Sequence, residues 1–219
     1  MDTRQPKGHD VAHQLFDSLQ FVISLLALQG DNCTDTSVRA ALRKSSERIM
    51  VFGCLKHYAM ASNEGGLNQF GFWLELALED IIERAAKAGI EVRMEIDCTE
   101  VIPRVAVPLG LCIYELFSNA IEHAFPGNRK GKVAIRVLAT CDTILTEVAD
   151  DGIGIQNGEC GPRGRCGSAI IKTLVGQMGG TLTYWHDSGM HHAIAVKCGE
   201  TALASSQPIL FESDTNGRC

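Results

Sequence analysis

The sequence has no CxxC pair, no uninterrupted apolar run as long as a membrane span, no stretch dense in lysine and arginine, and no internal repeat. Each absence removes a class of function. With 20 basic against 26 acidic residues and a net charge of -6, nothing resembles the basic stripe that neutralises phosphates, so nucleic acid is not an expected partner. The first ten residues, MDTRQPKGHD, lack the apolar segment of a secretory leader. Together with the missing span, this predicts a soluble cytoplasmic chain without a membrane segment. Nine cysteines, at 33, 54, 98, 112, 141, 160, 166, 198 and 219, are an odd number, and several lie in apolar runs; reduced thiols fit better than a disulfide framework. Cys160 and Cys166 have no second pair and no His-x-x-x-His to complete a metal clip, so they read as loop thiols.

A hydrophobic content of 45% in 219 residues is enough for one or two compact domains. From Asp10 to Gln29, Val11, Leu15, Leu19, Val22 and Leu26 recur at helical spacing, widened by Phe16, Ile23 and Leu25. Gly30-Asp31-Asn32 interrupts the pattern. Residues 34–36 offer caps for a second helix from Ser37 to Ala61, with Val38, Leu42, Ile49, Phe52 and Leu55 on its apolar side. A hairpin of two such helices buries little surface alone, so it is expected to complete its core with a second copy, as a four-helix bundle in a homodimer. The polar SNEGG at 62–66 marks the best boundary. Beyond it the spacing predicts helices at 72–88, 107–124 and 167–178 and strands at 91–96, 132–138, 143–149, 181–185 and 191–197. Such mixing suits a sheet covered by helices on one face. The segment from Gly199 onward has no periodicity and reads as a tail.

Two segments carry the chemistry. YELFSNAIEHAF, residues 114–125, spaces Glu115, Asn119 and His123 four apart, so the three share one helix face while Leu116, Phe117, Ala120, Ile121 and Ala124 pack away from it. Asn119 can present a neutral oxygen to a hard cation such as Mg²⁺. DDGIG, residues 150–154, ends an apolar strand with a carboxylate and two glycines. One carboxylate accepting from an exocyclic amine selects adenine over guanine, which would bring an oxygen to that place. Gly152 and Gly154 let the backbone approach a base.

In this order, these segments resemble the Asn box and the Asp-x-Gly-x-Gly box of the GHKL ATPase superfamily. The resemblance implies an α+β chain: an N-terminal helical hairpin, then a GHKL-type α/β sandwich ATPase domain. Its divisions would be 1–64, 65–200 and a tail at 201–219. It further implies Asp150 as the adenine reader, Asp151 as a solvated variable position, and Asn119, His123, Gly152, Gly154 and Gly167 as nucleotide-binding. Asn119 would also hold Mg²⁺, so ATP and Mg²⁺ are the expected cofactors. The loop before Gly167 resembles a short ATP lid in which Arg163 and Arg165 either reach phosphate or remain solvated. Gly167 opens a helix whose free N–H groups can meet phosphate, though Gly167-Ser168-Ala169 stands where the family often has Gly-x-Gly. SGMHH, residues 188–192, keeps the glycine of the family's Gly-Thr pair at Gly189 and has Met190 for the threonine.

The N-terminal helix HQLFDSLQFVISLLALQ resembles the His box of short-lid bacterial sensor histidine kinases, and ERIMVFGCLKH from Glu47 resembles their second hairpin helix. His13, Leu19, Gln20, Leu25, Leu26, Leu28 and Gln29 match; Gln14, Phe16 and Asp17-Ser18 depart from it. The resemblance implies that His13 is the phosphoacceptor and Glu115 a second catalytic residue. A neutral imidazole on a helix surface is a competent nucleophile near pH 7. The expected function is an ATP-dependent protein-histidine kinase that passes phosphoryl to an aspartate of a response-regulator receiver domain. About a dozen residues precede His13, so input is expected from a separate sensor protein, or the chain is the core of something longer. The alternatives are a histidine phosphotransferase relay with a degenerate ATPase-like domain and an anti-sigma-type serine kinase, which lacks the long hairpin.

Overall fold

The computed structural model describes residues 8–62, 70–98, 101–140, 142–154 and 166–197. The expected linker at 63–66, the expected lid at 155–165 with Arg163 and Arg165, and the tail lie outside the described residues.

The chain opens with α1 (Gly8–Asp31) and α2 (Thr36–Ser62), in antiparallel contact over much of their length. Asp35 caps α2: its Oδ1 accepts from the Ser37 amide at 2.8 Å, the Ser37 hydroxyl at 2.7 Å and the Val38 amide at 3.4 Å. These bonds hold its carboxyl below the usual range, the Ser37 hydroxyl first. Arg39 closes the connection by donating to the Gly30 and Cys33 carbonyls at 3.3 and 2.6 Å. Gly53 allows the close approach, since a Cβ there would lie 3.2 Å from Leu19 Cδ1.

Then follow α3 (Phe70–Lys87), β1 (Ile90–Asp97), α4 (Pro103–His123), β2 (Gly131–Ala139), β3 (Thr143–Asp150), α5 (Cys166–Gln177), β4 (Thr181–His186) and β5 (Met190–Lys197). The sheet order is β1-β2-β3-β5-β4; β1 and β2 are parallel, joined through α4, and the other pairs are antiparallel. Alternation along the strands puts Val133, Ile135, Val137, Ile144, Val148, Ile194 and Val196 under the helices. The opposite face is charged, with Arg136 between Glu95 at 3.0 Å and Glu147 at 3.5 Å. The expected elements are all present. The largest departure is α4, which starts at Pro103 rather than near Val107. Pro103 takes the first helical position, where its missing N–H costs nothing, and Pro108 follows within the helix. Proline is a poor helix former, so the residues from Pro103 to Pro108 carry a weak helical signal despite being helical here.

α4 is also, among the described residues, the one helix long and apolar enough to cross a membrane by length and composition, at a mean hydropathy of 1.3. Two thirds of that stretch is buried in the protein core, 67% of it, which accounts for its apolarity. The core runs without a break from α2 into the sandwich. Val51, Cys54, Leu55 and Tyr58 of α2 join Phe70, Leu74, Leu78 and Ile81 of α3 and Leu109, Cys112 and Ile113 of α4. Tyr58 seals this contact by donating to the Val101 carbonyl at 2.9 Å and accepting from its amide at 3.0 Å. Part of the hairpin's apolar surface is thus covered within the chain rather than left for a second copy.

Candidate active site

The site lies where the end of β3, the turn between β4 and β5, and the C-terminal half of α4 converge. Asp150 ends β3 and is partly buried; its Oδ1 accepts from the Gly152 amide at 2.9 Å and the Met190 amide at 3.4 Å. Its Oδ2 has no hydrogen-bond partner among the described residues. Burial pushes this carboxyl above its usual range, against the two amides that favour the charged form. A desolvated acceptor with one oxygen spare is what an exocyclic amine needs.

Glycines frame this carboxylate because side chains would collide there. A Cβ on Gly189 would run into the Asp150 carbonyl, and one on Gly152 into Ala124 and its carbonyl. The Ala124 carbonyl in turn accepts from the Ile153 amide at 3.0 Å, tying the DDGIG turn to the end of α4. Gly154 has φ +61°, with the exposed His186 ring above it. These cradles fit a planar base beside Asp150. Asp151, expected to be solvated, is exposed but bonded: its Oδ1 accepts from the Lys132 amide at 2.6 Å and its carbonyl from Arg129 at 3.0 Å. His192, on the inner face of β5, is held at about 4 by burial and by the nearby His191 charge, so it is neutral at pH 7.

The Asn-bearing face of α4 is not open. Glu115 is 1% exposed and receives a two-pronged ion pair from Arg48 of α2, Nε to Oε1 and Nη2 to Oε2, the latter at 3.0 Å. Asn119 Oδ1 accepts from Lys44 Nζ at 3.4 Å, and the same ammonium reaches Glu122 Oε2 at 3.3 Å. Tyr114 donates to Glu47 at 2.6 Å, while Arg84 of α3 forks onto the same carboxylate. Burial raises the Tyr114 phenol and keeps it a donor. His123 is half exposed at the end of α4, 4.0 Å from Glu122. Gly167 lies in the first turn of α5. The backbone of His13 belongs to α1, and its side chain lies outside the described residues.

The structure therefore brings Glu115, Asn119 and His123 onto one face of α4, with Asp150, Gly152 and Gly154 at the adjoining strand end. Sequence reasoning missed Lys44, Glu47 and Arg48. Their spacing on one face of α2 was a signal, but it carried no indication of which surface that face meets. For Mg²⁺, Asn119 supplies a suitable oxygen, and no cluster of three or more His, Cys, Asp or Glu exists among the described residues. The donor set suits an ion held mainly by phosphates and water.

Residues 10–84 match the family described as histidine kinase, and residues 104–207 match the histidine kinase-, DNA gyrase B- and HSP90-like ATPases. The chain belongs to the histidine kinase family. Among its relatives, the sensor histidine kinase PdtaS of Mycobacterium tuberculosis is 29% identical over 178 residues, covering 76% of this chain and 34% of PdtaS. Blue-light-activated histidine kinase 2 of Erythrobacter litoralis is 23% identical over 177 residues, covering 79% of this chain and 51% of that kinase. The chain thus spans between a third and a half of these relatives. The solved structure of the Erythrobacter litoralis EL346 blue-light-activated histidine kinase superposes with a TM-score of 0.68 at 20% identity, over 92% of this chain and 63% of that one. At that identity the likeness establishes the fold: a helical hairpin followed by a GHKL-type ATPase sandwich.

Proposed function

We propose that the chain is an ATP-dependent protein-histidine kinase of a two-component system, phosphorylating His13 and passing the group to an aspartate of a response-regulator receiver domain. The observation that carries this reading is the Asp150 carboxylate, partly buried, framed by Gly152 and Gly189, with an oxygen to spare for an exocyclic amine. It stands beside an Asn-bearing helix in a chain whose hairpin belongs to the histidine kinase family. The division into a hairpin at 1–64, a catalytic domain at 65–200 and a tail at 201–219 follows from the same reading. So do a homodimer, a separate sensor protein and a cytoplasmic location.

In the proposed step a neutral His13 nitrogen attacks the γ-phosphorus in line. An N–P bond forms, the bond from γ-phosphorus to the bridging oxygen breaks, and ADP leaves with the electron pair. The imidazole proton passes to a base, a role Glu115 can take once Arg48 releases it. Asp150 orients the adenine; Gly167 at the head of α5 and His123 at the end of α4 border the phosphates. When bound through Asn119, Mg²⁺ offsets the charge developing on the phosphates. The test is incubation of the purified chain with γ-labelled ATP and Mg²⁺. Label that is acid-labile and alkali-stable, absent in His13→Gln and lost in Asp150→Asn, supports the kinase. Label that arrives from a phosphorylated receiver but never from ATP selects the relay instead.

A further inference from the structure

α2 and α4 pack antiparallel, and their contact changes character along its length. At one end Tyr58, Leu55, Cys54 and Val51 are buried against Val101, Leu109 and their neighbours. Gly110 admits Leu55 so closely that any side chain at 110 would overlap it. At the other end the contact is polar: Arg48 on Glu115, Glu47 on Tyr114, Lys44 on Asn119 and Glu122. A cavity of about 270 Å³ bordered by Leu19, Ile49, Phe52, Leu111, Ile170 and Leu174 lies beside the Arg48–Glu115 pair, so this end lacks the close packing of the first.

We infer that Lys44 is a built-in counter-cation that occupies the metal side of Asn119, and that α2 must part from α4 at its polar end before a magnesium nucleotide can bind there. This rests on the reading of Asn119 as the Mg²⁺ ligand. The ammonium lies 3.4 Å from the Asn119 oxygen and 3.3 Å from Glu122. A divalent ion on the same oxygen would face that positive charge at close range, where repulsion is strong. The same parting frees Glu115, because Arg48 lies one helical turn from Lys44 on the same face of α2. The apolar end is the anchor and the polar end the part that opens. The closed contact couples the state of the hairpin to the metal site, and a change in the hairpin's position would set the affinity for the loaded nucleotide.

The experiment is calorimetry on the full chain with a non-hydrolysable ATP analogue, in Mg²⁺ and in EDTA, for the wild type, Lys44→Met and Lys44→Arg. Lys44→Met is expected to bind about tenfold more tightly in Mg²⁺, the scale of one charge-assisted hydrogen bond, with affinity in EDTA unchanged and Lys44→Arg close to wild type. Hydrogen exchange in the first half of α2 is expected to rise when the magnesium analogue binds wild type, and to be raised already in free Lys44→Met. Equal affinities in Mg²⁺ for wild type and Lys44→Met overturn the inference while leaving the nucleotide site standing. Weaker binding by Lys44→Met overturns it by making Lys44 a phosphate ligand. Absence of binding in every protein, with or without metal, overturns the nucleotide reading and the inference with it.

Discussion

Gly189 and Gly154 both flank the Asp150 carboxylate proposed to read adenine, yet their substitutions meet different obstacles. A Cβ at Gly189 meets the backbone of Asp150, which cannot move without breaking the β3–β5 junction. At Gly154 the obstacle is the exposed ring of His186, a side chain free to swing, plus a left-handed φ of +61° costing about 1 kcal/mol for an L-residue. Gly189→Ala is therefore expected to lose nucleotide affinity by at least about tenfold, since Asp150 no longer aligns, and Gly154→Ala by only a few fold. Calorimetric titration of both variants decides the order, and a larger loss at Gly154 would contradict the geometry. DDGIG announced Asp150, Gly152 and Gly154 in the sequence because strand end, carboxylate and glycines are adjacent in the chain. The Met190 amide that completes the Asp150 bonds lies forty residues away, and backbone amides leave no mark in a sequence. His192 adds a pH dependence. Its folded value of about 4 lies below the ordinary value near 6.5, so the unfolded chain takes the proton first. Stability should thus be complete above about pH 6.5 and decline as pH falls toward 4, by up to ~3 kcal/mol. Urea unfolding across that range should show a shallower acid limb for His192→Gln; an unchanged limb would assign the acid sensitivity elsewhere.

At the scale of elements, hydrophobic periodicity located every α-helix and strand among the described residues, because most of them bury one face and the spacing records that face. The sequence did not record where α2 docks. Its face carrying Val51, Cys54, Leu55 and Tyr58 looks, as a pattern, equally suited to a partner copy or to the chain's own α4, and only the contact with Gly110 distinguishes them. Gly110→Ala is expected to cost about 1–3 kcal/mol by forcing Leu55 out of place. In a Leu55→Ala background the same substitution should cost far less, because the shortened side chain leaves room. Denaturation midpoints of the two single variants and the double variant measure this. Strictly additive costs would mean that α2 does not pack on Gly110 in solution.

On the scale of the whole molecule, the surface left open by this docking is on α1. Phe21, Val22, Leu25 and Leu28 fall at i, i+1, i+4 and i+7 and form one apolar stripe, with Phe21 66% and Leu28 59% exposed, and Val38 at the start of α2 is exposed as well. A stripe of large apolar side chains in water marks an association surface. The intramolecular core uses α2, so the dimer proposed for this chain would use α1, and the two contacts do not compete. Removing the whole hairpin would therefore be a poor test, since it would also strip Leu55 and Tyr58 from the core. Leu25→Glu combined with Leu28→Glu alters only exposed positions and places charge in the stripe. Light scattering of the full chain is expected to give about twice 23.7 kDa for wild type and a single 23.7 kDa chain for the double variant. Nucleotide affinity should be unchanged, because none of the residues bonded to Asp150 or framing it belongs to the stripe. A monomeric wild type, or a dimer that survives both glutamates, would remove α1 as the association surface.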